Sequence, residues 1–160
     1  MTRIFEKTLE LPCSAAEAFA WHERPDALTK LIPPGDPVRV ADHQPGLQGA
    51  IGDGARVVLA IGRWPFRMRW IALHEGYRAG RQFVDVQVHG PFAFWRHTHS
   101  FEPTGSRFCV LRDHVEYRLP LGFLGDAVAH AFVRKKIEGM FAWRHKVTAR
   151  ELSGNIGLNE

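Results

Sequence analysis

The chain has 160 residues, 45% of them hydrophobic, which suits one domain that buries roughly 70% of its unfolded surface and needs no disulfide or metal staple. Lys and Arg outnumber Asp and Glu by 21 to 17, a net +4. That surplus is too small and too dispersed to mark a nucleic-acid binder, so no nucleic-acid partner is expected.

No apolar run approaches the ~18 residues of a membrane span, and MTRIFEKTLEL at the amino terminus is charged where a signal peptide needs an apolar stretch. A soluble cytoplasmic protein without stable membrane insertion is expected. Cys13 and Cys109 match neither a C-x-x-C motif nor a zinc spacing, so free thiols in a reducing compartment are expected.

Residues 4–11 alternate loosely and are read as a first strand, which Pro12 stops. Ser14-Ala15-Ala16-Glu17 fits a capping box and predicts a short helix through Trp21. Pro25 suits the first position of a second short helix, which ends near Leu31 before Pro33-Pro34. Six more strand-like runs follow at 38–43, 55–62, 67–77, 82–89, 92–102 and 108–119, parted by the turn signals GDG, RWPF, RAGR, GP and PTGS.

Short connections between consecutive strands imply an antiparallel sheet, and its apolar face needs a cover. Only residues 126–152 are long enough, about 40 Å if fully helical. Asp126 is the expected cap and Ser153-Gly154 the expected stop. Val128, Phe132, Ile137, Met140, Phe141 and Val147 approximate one apolar face, with Arg134, Lys135, His145, Lys146 and Arg150 mostly elsewhere.

Strand registers indicate what lies under that helix. Val84-Asp85-Val86-Gln87-Val88 alternates with a period of two, which places the valines inward and Asp85 and Gln87 outward. A two-residue turn at Gly90-Pro91 would set Val84 opposite His97 and Asp85 opposite Arg96 on the outer face. Trp95, His97, His99 and Phe101 then point inward. In the last strand Cys109, Leu111, Asp113, Val115 and Tyr117 share the inner face, and an odd-length loop or a bulge near Pro103-Thr104-Gly105 brings Asp113 beside His97. For residues 67–77 the corresponding choice is Met68, Trp70, Ala72 and His74 inward.

Strand, two short helices, six strands and a long last helix make a layout that resembles the helix-grip fold of the SRPBCC superfamily, which includes START-like lipid carriers, polyketide cyclases and Bet v 1-like proteins. The resemblance is carried by FAWHERPDALTKLIPP at 19–34, GDGARVVL at 52–59, FVDVQVHGPFAFWRHTHSFEP at 83–103, DHVEYRLPLGFLG at 113–125 and MFAWRHKVT at 140–148. It implies an α+β fold, a seven-stranded curved antiparallel sheet gripping the carboxy-terminal helix over a hydrophobic cavity. It also implies a lipid-like, aromatic or polyketide-like ligand, and it supplies no catalytic residue.

The residues expected to meet such a ligand are Trp70 and Trp95 as apolar walls, with Tyr117 on the same inner face. His74, His97, His99 and Asp113 are the polar anchors, and Phe141 and Arg144 come from the helix. Apolar walls with a few convergent polar groups are the usual make-up of a small-molecule site. The alternative is a cyclase, dehydratase or hydrolase with His97 as general base oriented by Asp113, and no nucleophile motif accompanies that pair. No cofactor is expected. His97-x-His99 alone is a weak metal signal, so no metal is expected either. The partner is a small hydrophobic ligand, and the oligomeric state is not readable.

Overall fold

Seven strands hydrogen-bond into one antiparallel sheet: β1 (Arg3–Leu11), β2 (Val38–Gln44), β3 (Arg56–Ile61), β4 (Met68–Arg78), β5 (Gln82–His89), β6 (Phe94–Pro103) and β7 (Cys109–Arg118). The helices are α1 (Ala15–His22), α2 (Ala27–Lys30) and α3 (Gly122–Ser153). The computed structural model describes residues 1–120 and 122–154, with 122–128 as backbone alone. No helix among them is long and apolar enough to cross a membrane.

The strand order β1-β7-β6-β5-β4-β3-β2 is a meander from β2 to β7, with β1 closing beside β7. Strands consecutive in sequence therefore form the two edges, and the chain between them carries α1 and α2 from one side of the sheet to the other. This curved open sheet, two short helices and a long last helix are the helix-grip arrangement expected. Gly76, at positive φ of 62°, lies where the β4–β5 pairing is irregular between Glu75 and Arg78, a place where glycine lets a strand bulge without a steric penalty.

Local chemistry explains the helix ends. Glu17 N donates to Ser14 Oγ at 3.2 Å and Ser14 N donates to Glu17 Oε2 at 2.8 Å, so the capping box is formed as read. The second short helix begins at Ala27, two residues beyond Pro25, with Asp26 at its cap position. The long helix begins earlier than expected, at Gly122, so Asp126 lies within it and not at its cap; the side chains of Asp126 and Val128 lie outside the described residues.

Two apolar clusters form the core. Leu11, Phe19, Phe83, Phe101, Leu111 and Val147 belong to one, and Phe5, Trp95, Val115, Tyr117, Ile137 and Phe141 to the other. Along β6 the residues between the clusters are His97 and His99, along β7 Asp113, and along α3 His145. A buried polar belt thus separates two greasy halves. Ile137, Phe141 and Val147 are buried as expected, whereas Phe132 is 65% exposed. His145, expected off the apolar face, is buried, because positions 137, 141, 145, 148 and 152 recur at the three- and four-residue spacing of one helix face.

The carboxy-terminal half of α3 is pinned over the sheet by polar ties to α2. Trp143 Nε1 donates to Lys30 O at 3.2 Å, and Lys30 Nζ donates to Glu151 Oε2 at 2.6 Å. Phe141 is fully buried, 5.1 Å from the Phe5 ring and 5.0 Å from the His97 ring. Truncation there removes packing on both sides. Phe141→Ala should cost about 3–5 kcal/mol in urea denaturation, and a loss within experimental error would contradict its place in the core.

Candidate functional site

A cavity of about 140 Å³ lies between the inner face of the sheet and the helices, comparable with the ~150 Å³ apolar cavity that accommodates a benzene ring. Its apolar wall includes Leu31, Ile51, Val57, Leu59, Ile61 and Trp70, and its polar wall His22, His43, His74, Asp85, His97, His99 and Arg144. The strands deliver these residues by alternation. His97 and His99, two apart on β6, share the inner face, as do Trp70, Ala72 and His74 on β4, while Met68 at the start of β4 is exposed.

The β5–β6 register corrects the expectation for Asp85. Asp85 pairs with His97, Phe83 with His99 and Val86 with Arg96, one residue away from the two-residue turn assumed from Gly90-Pro91. A slip of one residue turns every side chain of the strand over. Phe83 and Asp85 therefore face inward, and Val84, Val86 and Val88 lie on the other face, where Val88 is 62% exposed. Arg96 pairs instead with Glu75 of β4.

Asp85 and Asp113 flank the two histidines. His97 Nε2 donates to Asp113 Oδ1 at 2.8 Å, and His99 Nε2 donates to Asp85 Oδ2 at 3.1 Å. The other ring nitrogens are also close to carboxylates: His97 Nδ1 is 3.1 Å from Asp85 Oδ2, and His99 Nδ1 is 3.1 Å from Asp113 Oδ1. Trp95 Nε1 donates to Asp85 Oδ1 at 3.2 Å, and His145 Nε2 donates to Asp113 Oδ2 at 2.6 Å. The odd-length loop between β6 and β7 sets His99 opposite Asp113 and leaves His97 diagonal to it.

The electrostatics follow from this enclosure. Burial works to raise both carboxyl pKa values, but His97 and His99 hold Asp85, and His145, His97 and His99 hold Asp113, well below the usual carboxylate range. Burial likewise opposes a charge on His97, and Asp85 and Asp113 outweigh it, so its pKa is raised. Burial lowers the pKa of Arg144 against the pull of both carboxylates. Cys13 and Cys109 are buried free thiols away from the cavity wall, and burial, with Cys109 adjoining, pushes Cys13 up to about 12.

Six of the nine expected ligand residues line the cavity: Trp70, His74, Trp95, His97, His99 and Arg144. Three do not. Tyr117 and Phe141 pack in the core, and Asp113 lies behind the histidines, saturated by imidazoles. The expected pairing of Asp113 with His97 is present. Sequence reasoning missed Asp85, His22 from α1 and His145 from α3. His22 had a readable signal, since it follows the capped turn that packs α1 on the sheet; Nδ1 donates to Ala18 O at 2.8 Å.

The model of the family "Polyketide cyclase / dehydrase and lipid transport" matches residues 11–146. The chain belongs to that family, whose members hold small hydrophobic molecules. Among solved structures it is similar to norcoclaurine synthase of Thalictrum flavum, at 14% identity over 98% of each chain with a TM-score of 0.73. A START superfamily protein of Mycobacterium smegmatis aligns at 14% identity over 94% of this chain and 97% of that one, TM-score 0.69. The di-domain ARO/CYC StfQ of the steffimycin biosynthetic pathway aligns at 14% identity over 99% of this chain and 53% of that one, TM-score 0.74. These likenesses establish the shared fold. No curated protein sequence matches the chain.

Two cavity histidines give the site a pH signature. Burial lowers His22 and His74 from the ordinary 6.5 to about 4. Both are neutral when folded, so between these values the unfolded chain binds more protons and stability falls as pH falls. The loss should begin below pH 6.5 and amount to roughly 3 kcal/mol per histidine by pH 4. His74→Gln should flatten the urea-midpoint profile over that window, and an unchanged slope would contradict the burial of a neutral ring.

Proposed function

From this family membership and the chemistry of the wall, we propose that the chain binds and carries a small, mostly apolar molecule whose polar end presents an accepting oxygen. One observation carries the reading. Trp70 Nε1, His74 Nδ1 and Arg144 Nε all belong to cavity-lining residues, and all three atoms are buried without a hydrogen-bond partner. A buried donor left unpaired costs about 1–3 kcal/mol, so an incoming acceptor is favoured. Trp and Arg nitrogens only donate, which selects a carbonyl, carboxylate or enolate oxygen over an amine.

Among the described residues Arg144 makes no ion pair. Its guanidinium carbon lies 5.3 Å from the Phe141 ring centroid, a cation–π contact that holds the group and leaves Nε for an acceptor. The apolar wall takes the rest of the ligand, and an aromatic ring suits the volume. Holding is favoured over turnover with His97 as general base. That ring has a carboxylate at each nitrogen and retains its proton more tightly than an ordinary histidine, the opposite of what a base at neutral pH requires.

Trp70 and Trp95 line the cavity, so tryptophan fluorescence reports occupancy. Aromatic carboxylic acids should give saturable quenching in EDTA-treated protein. Arg144→Met should weaken them about 10- to 100-fold, the value of a charged hydrogen bond, while leaving the parent hydrocarbons unaffected. Absence of any fluorescence or thermal-midpoint change with acids, esters and hydrocarbons alike would contradict the proposal.

A further inference from the structure

The geometry points to a divalent transition-metal site in the wall of this cavity, formed by Asp85 Oδ2, His97 Nδ1 and His99 Nε2, with the remaining coordination positions facing the cavity. These three donor atoms lie within 4.8 Å of one another. Both histidine nitrogens are 3.1 Å from Asp85 Oδ2. Two donors each about 2.1 Å from a shared ion lie about 3.0–3.4 Å apart for right-angle to tetrahedral arrangements, so the spacing around Asp85 suits one ion.

A second observation is the state of His97 Nδ1. The side chain is 1% exposed, and this nitrogen makes no hydrogen bond although Asp85 Oδ2 is 3.1 Å away. At that distance an aligned ring would bond. This buried nitrogen is therefore uncommitted to any protein partner and lies within reach of the other two donors.

The surroundings are those of a ligand set held from behind. His97 Nε2 and His99 Nδ1 both face Asp113 Oδ1, at 2.8 and 3.1 Å, and His145 steadies the other oxygen of that carboxylate. Trp95 fixes Asp85 Oδ1, leaving Oδ2 toward the histidines. Metal-bound histidines typically donate their second N–H to a carboxylate in this way.

Charge supplies a third argument. A neutral imidazole has one N–H, yet each ring places one nitrogen against each carboxylate. Two of these four contacts, His97 Nε2 to Asp113 and His99 Nε2 to Asp85, are hydrogen bonds, one N–H for each ring, which leaves His97 Nδ1 without a partner between two rings whose centroids are 3.7 Å apart. A divalent ion on the Asp85 side lets both neutral rings turn their N–H toward Asp113 and balances Asp85 and Asp113. Two histidines and one carboxylate with open positions suit Fe²⁺ or Zn²⁺, and in the cavity such an ion would meet the oxygen end of a bound molecule.

The inference rests on the reading of this cavity as the working site, but its test needs no organic ligand. EDTA-stripped protein is incubated with Zn²⁺, or anaerobically with Fe²⁺, then desalted, and its metal is counted; one equivalent per chain is expected. On Zn²⁺ addition, ¹⁵N spectra of histidine-labelled protein should shift His97 Nδ1 and His99 Nε2. Asp85→Asn should abolish retention, Asp113→Asn should weaken it about 10- to 100-fold, and His114→Gln, on the opposite face of β7, should leave it unchanged.

Retention of no ion, an ion that shifts neither His97 nor His99, or a folded Asp85→Asn variant that retains the wild-type amount would overturn the metal site. The wild-type spectra decide the matter if a variant fails to fold. Ligand quenching in EDTA-treated protein with no ion retained removes the metal site alone, and ion retention without ligand quenching removes the carrier reading alone.

Discussion

Two carboxylates, Asp85 and Asp113, are enclosed beneath a helix, and the rest of the site is arranged to make that tolerable. An unpaired buried charge is far costlier than an unpaired buried amide, and removing one partner from such a pair commonly costs 3–5 kcal/mol. Here each carboxylate is met from several elements: Asp85 by β6 through Trp95, His97 and His99, and Asp113 by β6 and by His145 of α3. The polar belt thereby fixes the mutual position of β5, β6, β7 and α3 more specifically than the two apolar clusters on either side could.

The same belt explains why the helix works as a cover and as part of the site. Phe141, His145 and Leu152 face the core along one stripe, while Arg144, the residue just before His145, reaches the cavity. Ties from Trp143 and Glu151 to Lys30 hold this half of α3 against α2, so Arg144 is presented from a fixed backbone. A desolvated guanidinium, which can only donate, thus faces an apolar wall across the cavity.

Much of this was readable from residue order. The seven strands, the Ser14 capping box and the inner faces of β6 and β7 follow from period-two patterns rich in aromatic and β-branched residues, and their faces are burial-true in the structure. The pattern misled where buried polar partners reverse it. In β5 the valines look like the inner face and Asp85 like surface, yet Asp85 turns inward to His97 and His99 while Val84, buried, and Val88, exposed, lie on the other face. His145 misled for the same reason: a polar side chain on a buried helix stripe has no signal in polarity alone. Phe132 erred in the opposite direction, as an exposed apolar residue on a stretch of α3 whose Ala129 and Val133 are the ones packed against the core.

The account depends on a single register, that of β5 against β6, and interstrand backbone NOEs in isotopically labelled protein measure it directly. The structure requires contacts linking Asp85 with His97 and Phe83 with His99. NOEs linking Asp85 with Arg96 and Val84 with His97 would place the carboxylate on the outer face and contradict the site as a whole.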